Sequence, residues 1–401
     1  MSAKVTFFPV CNGDMTLIKF ADQDETTLLI DVKIRAAADD PDGDKPDVAT
    51  ELRKRLKTDA KGRPYVDAFL LSHPDEDHCL GLTNHFYLGD LNKYPDDNKP
   101  QQEKRIVINE IWSSPIVFRR ASKDHVICYD AEMFRKEVKR RIKVNEENSF
   151  YVDSGDKVLV MGEDIIDGKT GKPKTDPISP IVKKAGEKFS KINGKELWAA
   201  KFYLLAPSGM QDDETEELLS KNDSSVILNI KIAGDILNQD ATRLLTGGDA
   251  GVVIWERMWD KYKEDSEALH YDLLQAPHHC SWRSLSSQSW SENNGKAKAS
   301  ENALNALGQI RANGCIVASC KPILDDCNDP PCIGAKREYK QMTNNSGGKF
   351  YCTGEYPKQS KLEPLEFEID ANGFKEGGGS NSSGNRRAVV AATPHKFGKF
   401  K

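Results

Sequence analysis

The chain has 401 residues, 38% hydrophobic and 30% charged, which describes a soluble globular protein with long polar loops and excludes a disordered one. No run of ~18 apolar residues occurs, so no membrane span is expected. The formal net charge of -5 is not the footprint of a wide nucleic-acid clamp. A nuclease stays open, because metal ions in a site can supply the positive charge a phosphodiester needs.

The first residues, Met1 to Phe8, lack a long apolar core and a small-residue cleavage site, and read as the opening strand of a cytoplasmic protein. Residues 5–9 form that strand, Asn12-Gly13-Asp14 a tight turn, and 16–20 and 27–32 two further strands. A Pro/Gly/Asp loop at 39–47 precedes a short amphipathic helix at 50–56. A buried strand at 66–71 then runs directly into His73.

The middle is less regular. A strand is expected at 106–112, a basic-faced helix at 130–142, a strand at 157–161, a polar loop at 168–180 and a strand at 197–205. Strands at 226–232 and 242–246 follow, then a Gly247-Gly248-Asp249 turn and a helix at 252–261. A short strand at 272–275 ends at Pro277-His278-His279. A helix at 303–312 and a strand at 315–319 close the series.

Two β-rich halves covered by helices imply an α/β chain, arranged as an αβ/βα four-layer sandwich with a central insertion. The expected layout is one domain over 1–352 with the insertion at about 90–200, a strand extension at 353–375, and a Gly/Ser-rich linker with a basic tail at 376–401. Nine cysteines, an odd number without a secretion signal, imply reduced thiols, and no C-x-x-C pair points to a structural zinc site.

Three clusters carry chemistry, each at the end of an expected strand. Ser72-His73-Pro74-Asp75-Glu76-Asp77-His78 packs two imidazoles and three carboxylates into one turn. Bare carboxylates this close repel one another unless a cation holds them. Mixed His and Asp donors suit zinc, manganese or iron better than calcium or magnesium. Gly248-Asp249 and Pro277-His278-His279 are weaker alone, since Gly-Asp turns are common and histidines often only pack. Their order and context make the set specific.

Taken together, His73-x-Asp75-x-Asp77-His78, Gly248-Asp249 and Pro277-His278-His279-x-Ser281 resemble the metallo-β-lactamase superfamily. The pattern is most similar to the hydrolase domain of ComEC-type DNA-uptake proteins and their soluble relatives. Val10-Cys11-Asn12-Gly13-Asp14, Leu28-Leu29-Ile30-Asp31 and the stretch from Asn222 to Leu228 fit it too, so the resemblance spans roughly 3–90 and 200–322. It departs in four places. Asp75 replaces the superfamily's common second histidine, no histidine precedes the Gly-Asp strand, Cys280 stands where the group has glycine, and the group's later Gly-His-Pro is absent, with Pro330-Pro331-Cys332 nearby.

The resemblance implies a metal centre of His73, Asp75, Asp77, His78, Asp249 and His278, with Asp77 and His279 as catalytic residues. His278 is expected beside Asp77, His78 and Asp249, and His279 is expected facing substrate or behind the ligands. His73 belongs to a second position shared with Asp249 and Asp75. Asp14 and Asp31 are expected to act through hydrogen bonds or turn geometry. One or two divalent ions, zinc or manganese, would activate water at neutral pH.

The resemblance implies a phosphodiesterase or nuclease acting on DNA, RNA or a nucleotide, with a protein partner from a multi-gene system of the kind that serves antiviral defence. The alternatives are hydrolysis of a small ester or lactone, and a weakly catalytic scaffold. His85, His125, His270 and Trp282 are expected in packing roles. The helix with Arg135, Lys136, Lys139, Arg140 and Arg141 is expected to present a solvated face rather than a phosphate contact.

Overall fold

A computed structural model describes residues 2–38, 45–115, 127–162, 170–173, 175–208 and 221–377. His125 and the basic tail lie outside the described residues, as do nearly all of the linker, most of the loop expected at 39–47 and residues 168, 169 and 174 of the loop expected at 168–180.

Two mixed sheets build the core. In the first, Ala3–Phe7, Thr16–Lys19 and Thr27–Ile30 run antiparallel. Pairing then turns parallel through Pro64–Leu71, Ile106–Ser113, Lys157–Met161 and Val182–Lys183. Leu365–Asp370 joins the other side of Ala3–Phe7, and Gly373–Glu376 forms that edge. The second sheet repeats the plan. Ala200–Ala206, Ile227–Ile232 and Thr242–Leu245 are antiparallel, and Tyr271–Gln275, Ile310–Ala318 and Lys349–Cys352 continue in parallel.

Parallel strands are covered on both faces, so they carry continuous apolar runs such as Phe69-Leu70-Leu71 and Ile316-Val317-Ala318. Val5, Phe7, Leu70 and Trp112 of the first sheet share one core with Phe202, Leu228, Ile230 and Leu244 of the second. Rings meet edge to face across it, Phe20 to Phe202 at 6.0 Å and Trp112 to Phe202 at 5.1 Å. On the far side of the first sheet, Phe69, Ile108 and Ile111 pack with Phe134 and Val138 of the Tyr129–Glu147 helix. On the far side of the second, Leu245, Leu274 and Ile316 pack with Trp255 and Met258 of the Val252–Tyr262 helix. The chain is an α/β protein with its apolar helix faces turned onto two sheets.

Trp112 is fully buried between the sheets, and its Nε1 donates to Glu110 Oε2 at 2.9 Å. Trp112→Ala is expected to destabilise the fold by about 3–5 kcal/mol, measured as a lower denaturant midpoint.

Of the region expected as an insertion, Ile106–Ser113, Lys157–Met161 and Val182–Lys183 are strands of the first sheet, Ile106–Ser113 lying between Pro64–Leu71 and Lys157–Met161, whereas Lys188–Phe189 pairs into the second. The helix expected at 303–312 is Glu301–Leu307. It ends because Gly308 caps it and Ile310–Ala318 pairs instead as a strand with Tyr271–Gln275. Among the described residues, no helix is long and apolar enough to cross a membrane.

Candidate metal centre

The loops that matter leave the carboxyl ends of neighbouring strands in both sheets, where open α/β sheets place their ligand sites. Asp31 follows Thr27–Ile30, the His73 turn follows Pro64–Leu71, Asp249 follows Thr242–Leu245, and His278 and His279 follow Tyr271–Gln275. Backbone bonds tie these loops together. The Val226 N–H donates to Ser72 O at 3.0 Å and the His278 N–H to Gly248 O at 2.8 Å.

Two glycines are required by this packing. Gly248 has φ 47°, and a Cβ there would lie 2.7 Å from the Ser225 Oγ. Gly13 has φ 145°, and its Cβ would lie 2.6 Å from the Asp77 carbonyl oxygen. His278, His279 and Cys280 are all left-handed, at φ 49°, 53° and 67°. Such backbone costs roughly 1–3 kcal/mol per residue and clusters at functional sites.

Asp14, His78, Asp249 and His279 are all buried, with one donor atom from each within 4.8 Å of the others. This cluster could hold a metal ion. Around it, the two oxygens of Asp249 face different partners. Oδ1 is 3.1 Å from His78 Nε2 and 3.4 Å from His279 Nε2, and His279 Nε2 is 3.2 Å from Asp77 Oδ2. Oδ2 is 3.6 Å from His73 Nε2 and 3.4 Å from His278 Nε2. Asp75 Oδ2 sits 3.7 Å from His73 Nε2.

Behind the imidazoles stand two more carboxylates. Asp31 accepts from the Ser72 backbone N–H at 2.7 Å and the Ser72 hydroxyl at 2.6 Å, and lies 2.8 Å from His78 Nδ1. A proton on Nδ1 leaves Nε2 facing the centre. Asp14 lies 3.8 Å from Nδ1 of both His78 and His279.

The electrostatics call for positive charge. Burial pushes the Asp14 carboxyl up to about 6, against the pull of His279 and His78. Burial also acts upward on Asp249, but the charges of His279, His78 and His73 hold it well below the usual carboxylate range. Asp77 behaves alike, burial being outweighed by its His279 hydrogen bond and His78. Burial lowers His78 and His279, yet Asp249 with Asp31 for the first, and with Asp14 for the second, raise both overall. His278, dominated by burial, is lowered.

Without a cation, protons on imidazoles balance the carboxylates. His73 Nε2, both Asp14 oxygens and Asp249 Oδ1 are buried without a hydrogen-bond partner among the described residues. Buried polar atoms left this way are costly, and a divalent ion would satisfy those facing the centre. The donor set therefore fits one. Since an ion must displace the protons on His78 and His279, zinc is expected to bind more tightly at pH 8 than at pH 6. Titrations at both values check this.

The structure brings together His73, Asp75, Asp77, His78, Asp249, His278 and His279, with one exchange of roles. The imidazole beside Asp77 and His78 is His279, not His278. His279 has a fully buried side chain, whereas His278 is 16% exposed at the rim. Asp14, read as a turn or supporting residue, is part of the buried cluster. Lys33 was missed: it flanks Gly13 beside Asp77, half-buried, and its ammonium donates to the Asn12 carbonyl. Its only sequence signal is its place two residues after Asp31.

His85 is buried outside this cluster, and His270 bonds Ser266 Oγ at 3.3 Å. Trp282 packs on Trp290 with centroids 4.8 Å apart. On the basic helix, Arg135, Arg140 and Arg141 pair with Glu132 or Glu137, and Arg141 is buried. All nine cysteines are free.

No family model matches the chain, and no curated protein matches it. A crystal structure of a protein of unknown function from Enterococcus faecalis V583 aligns over 88% of this chain and 77% of its own. Its identity is 10% and its TM-score 0.26. That likeness carries no argument about fold or function.

Proposed function

We propose that this chain is a hydrolase of metallo-β-lactamase-like architecture that cleaves phosphodiesters in DNA, RNA or a nucleotide, using zinc or manganese. The observation that carries the reading is Asp249, whose two oxygens serve two separate donor sets. The layered order of helix, sheet, sheet and helix supports the same family reading.

His78, His279, Asp77 and Asp249 Oδ1 would hold one ion. His73, Asp75, His278 and Asp249 Oδ2 would hold a second. Asp14 faces the Nδ1 sides of His78 and His279 at 3.8 Å and adds negative charge beside these rings, while their Nε2 atoms point toward Asp249. A cation in this place supplies charge that activates water at neutral pH and neutralises a reacting phosphoryl group. Asp77, 33% exposed, is the member of this set that borders the open side, where its carboxylate would orient a water by accepting a hydrogen bond from it. Lys33 adds positive charge at the rim, which suits an anionic substrate.

The test assays bis(4-nitrophenyl) phosphate, DNA and RNA against a lactone and carboxylic-ester panel, with zinc or manganese added. Phosphodiester cleavage that disappears in His279→Ala supports the proposal. Cleavage of lactones or esters alone overturns the substrate class.

A further inference from the structure

We propose that Cys79 and Cys128 form an oxidant-sensitive dithiol that closes to a disulfide with hydrogen peroxide and loosens the metal centre. The second half rests on the metal reading above; the first does not.

The two sulfurs lie 3.5 Å apart although 49 residues separate them. Cys79 is buried and directly follows His78, and its thiol donates to the Asp75 carbonyl at 3.2 Å. Cys128 is half-buried and caps the 19-residue Tyr129–Glu147 helix, its sulfur accepting from the Ala131 N–H. The segments are clamped in place, because Asp130 accepts from the Gly81 and Thr83 backbone N–H groups at 2.8 and 2.9 Å.

Helix N-termini favour thiolate, the nucleophilic form. Contact with the Cys79 thiol, and then the Ala131 amide, hold Cys128 down at about 7 against the upward push of burial. A second close pair offers a contrast. Cys320 and Cys352 lie 3.6 Å apart, but both are buried, and burial with the Cys352 contact pushes Cys320 well up. Cys79 is buried and pushed up in the same way, by its Cys128 contact and by burial, so the difference lies in Cys128, which is half-buried and held down.

The chemistry balances with peroxide as the oxidant. The Cys128 thiolate attacks one peroxide oxygen, the O–O bond breaks, and sulfenic acid and hydroxide form. The Cys79 sulfur then attacks the sulfenic sulfur. Its S–O bond breaks, and the hydroxyl leaves as water with the Cys79 proton. The new bond is about 2.05 Å long, so the sulfurs must close well over an ångström. Cys79 also loses the proton it gives to Asp75 O. Both changes fall within the turn that presents Asp75, Asp77 and His78.

The experiment treats the full chain with peroxide, blocks remaining thiols by alkylation and maps peptides by mass spectrometry. Zinc loss to a chelator is followed in parallel. A cross-linked Cys79–Cys128 peptide, reversed by dithiothreitol and absent in Cys128→Ser, is expected. Zinc loss should quicken by about 10-fold, the scale of a supporting-residue loss, in wild type but not in Cys128→Ser. Cys128 driven to sulfinic acid while Cys79 stays alkylatable overturns the dithiol. A disulfide that leaves zinc loss unchanged overturns the coupling. If the untreated chain binds no zinc, the metal reading fails, and the peptide map still decides the dithiol.

Discussion

Asp249→Ala is expected to empty the centre and lower phosphodiester hydrolysis by about 10³-fold, because a catalytic cation contributes several kcal/mol at about 1.4 kcal/mol per decade. No other side chain here reaches both donor sets. His78 and His279 face one of its oxygens, His73 and His278 the other. Removing it also leaves the raised imidazoles without their chief negative partner, so they shed protons rather than stay charged in a buried pocket. The check combines metal content, turnover and far-ultraviolet circular dichroism. A folded variant that keeps its metal and its rate contradicts the central role given to Asp249.

Asp31→Ala is expected to weaken metal binding by roughly 10–100-fold, although Asp31 touches no ion in this account. Its carboxylate holds the Ser72 amide, the Ser72 hydroxyl and His78 Nδ1 at once, with no exposure to solvent. Loss of these partners strands buried polar groups and removes what aims His78 at the centre. Stability of the metal-free chain should fall by about 3 kcal/mol. Chelator competition and urea unfolding separate the two effects. Wild-type affinity in a destabilised variant would show that Asp31 only braces the loop.

Much of the site was legible because ligand-rich turns follow directly on apolar strands. His73, Asp75, Asp77, His78 and Asp249 stand out from the sequence for that reason, and parallel pairing carries their strand ends to one side. The order of His278 and His279 was not legible. Both are left-handed, so which ring points inward depends on backbone torsions that residue identity does not reveal. From the sequence Asp14 reads as acting through hydrogen bonds or turn geometry, since nothing local shows that its loop lies beside two imidazoles.

The same limit applies to the fold. The first three strands, up to Thr27–Ile30, are joined by short connections and read easily. Ile106–Ser113 pairs in parallel with Pro64–Leu71 across a long connection, and its central place in the sheet depends on contacts distant in the chain. The 303–312 helix was overextended because Ile310 and Ala312 keep apolar residues recurring past Gly308, although both stand in the following strand.

The most direct test is metal content by mass spectrometry on the wild-type chain after zinc loading and desalting, beside an Asp77→Ala, His78→Ala double variant. The account predicts one or two ions per wild-type chain and a near-empty variant that keeps its fold. A folded wild-type chain that retains neither zinc nor manganese would contradict it.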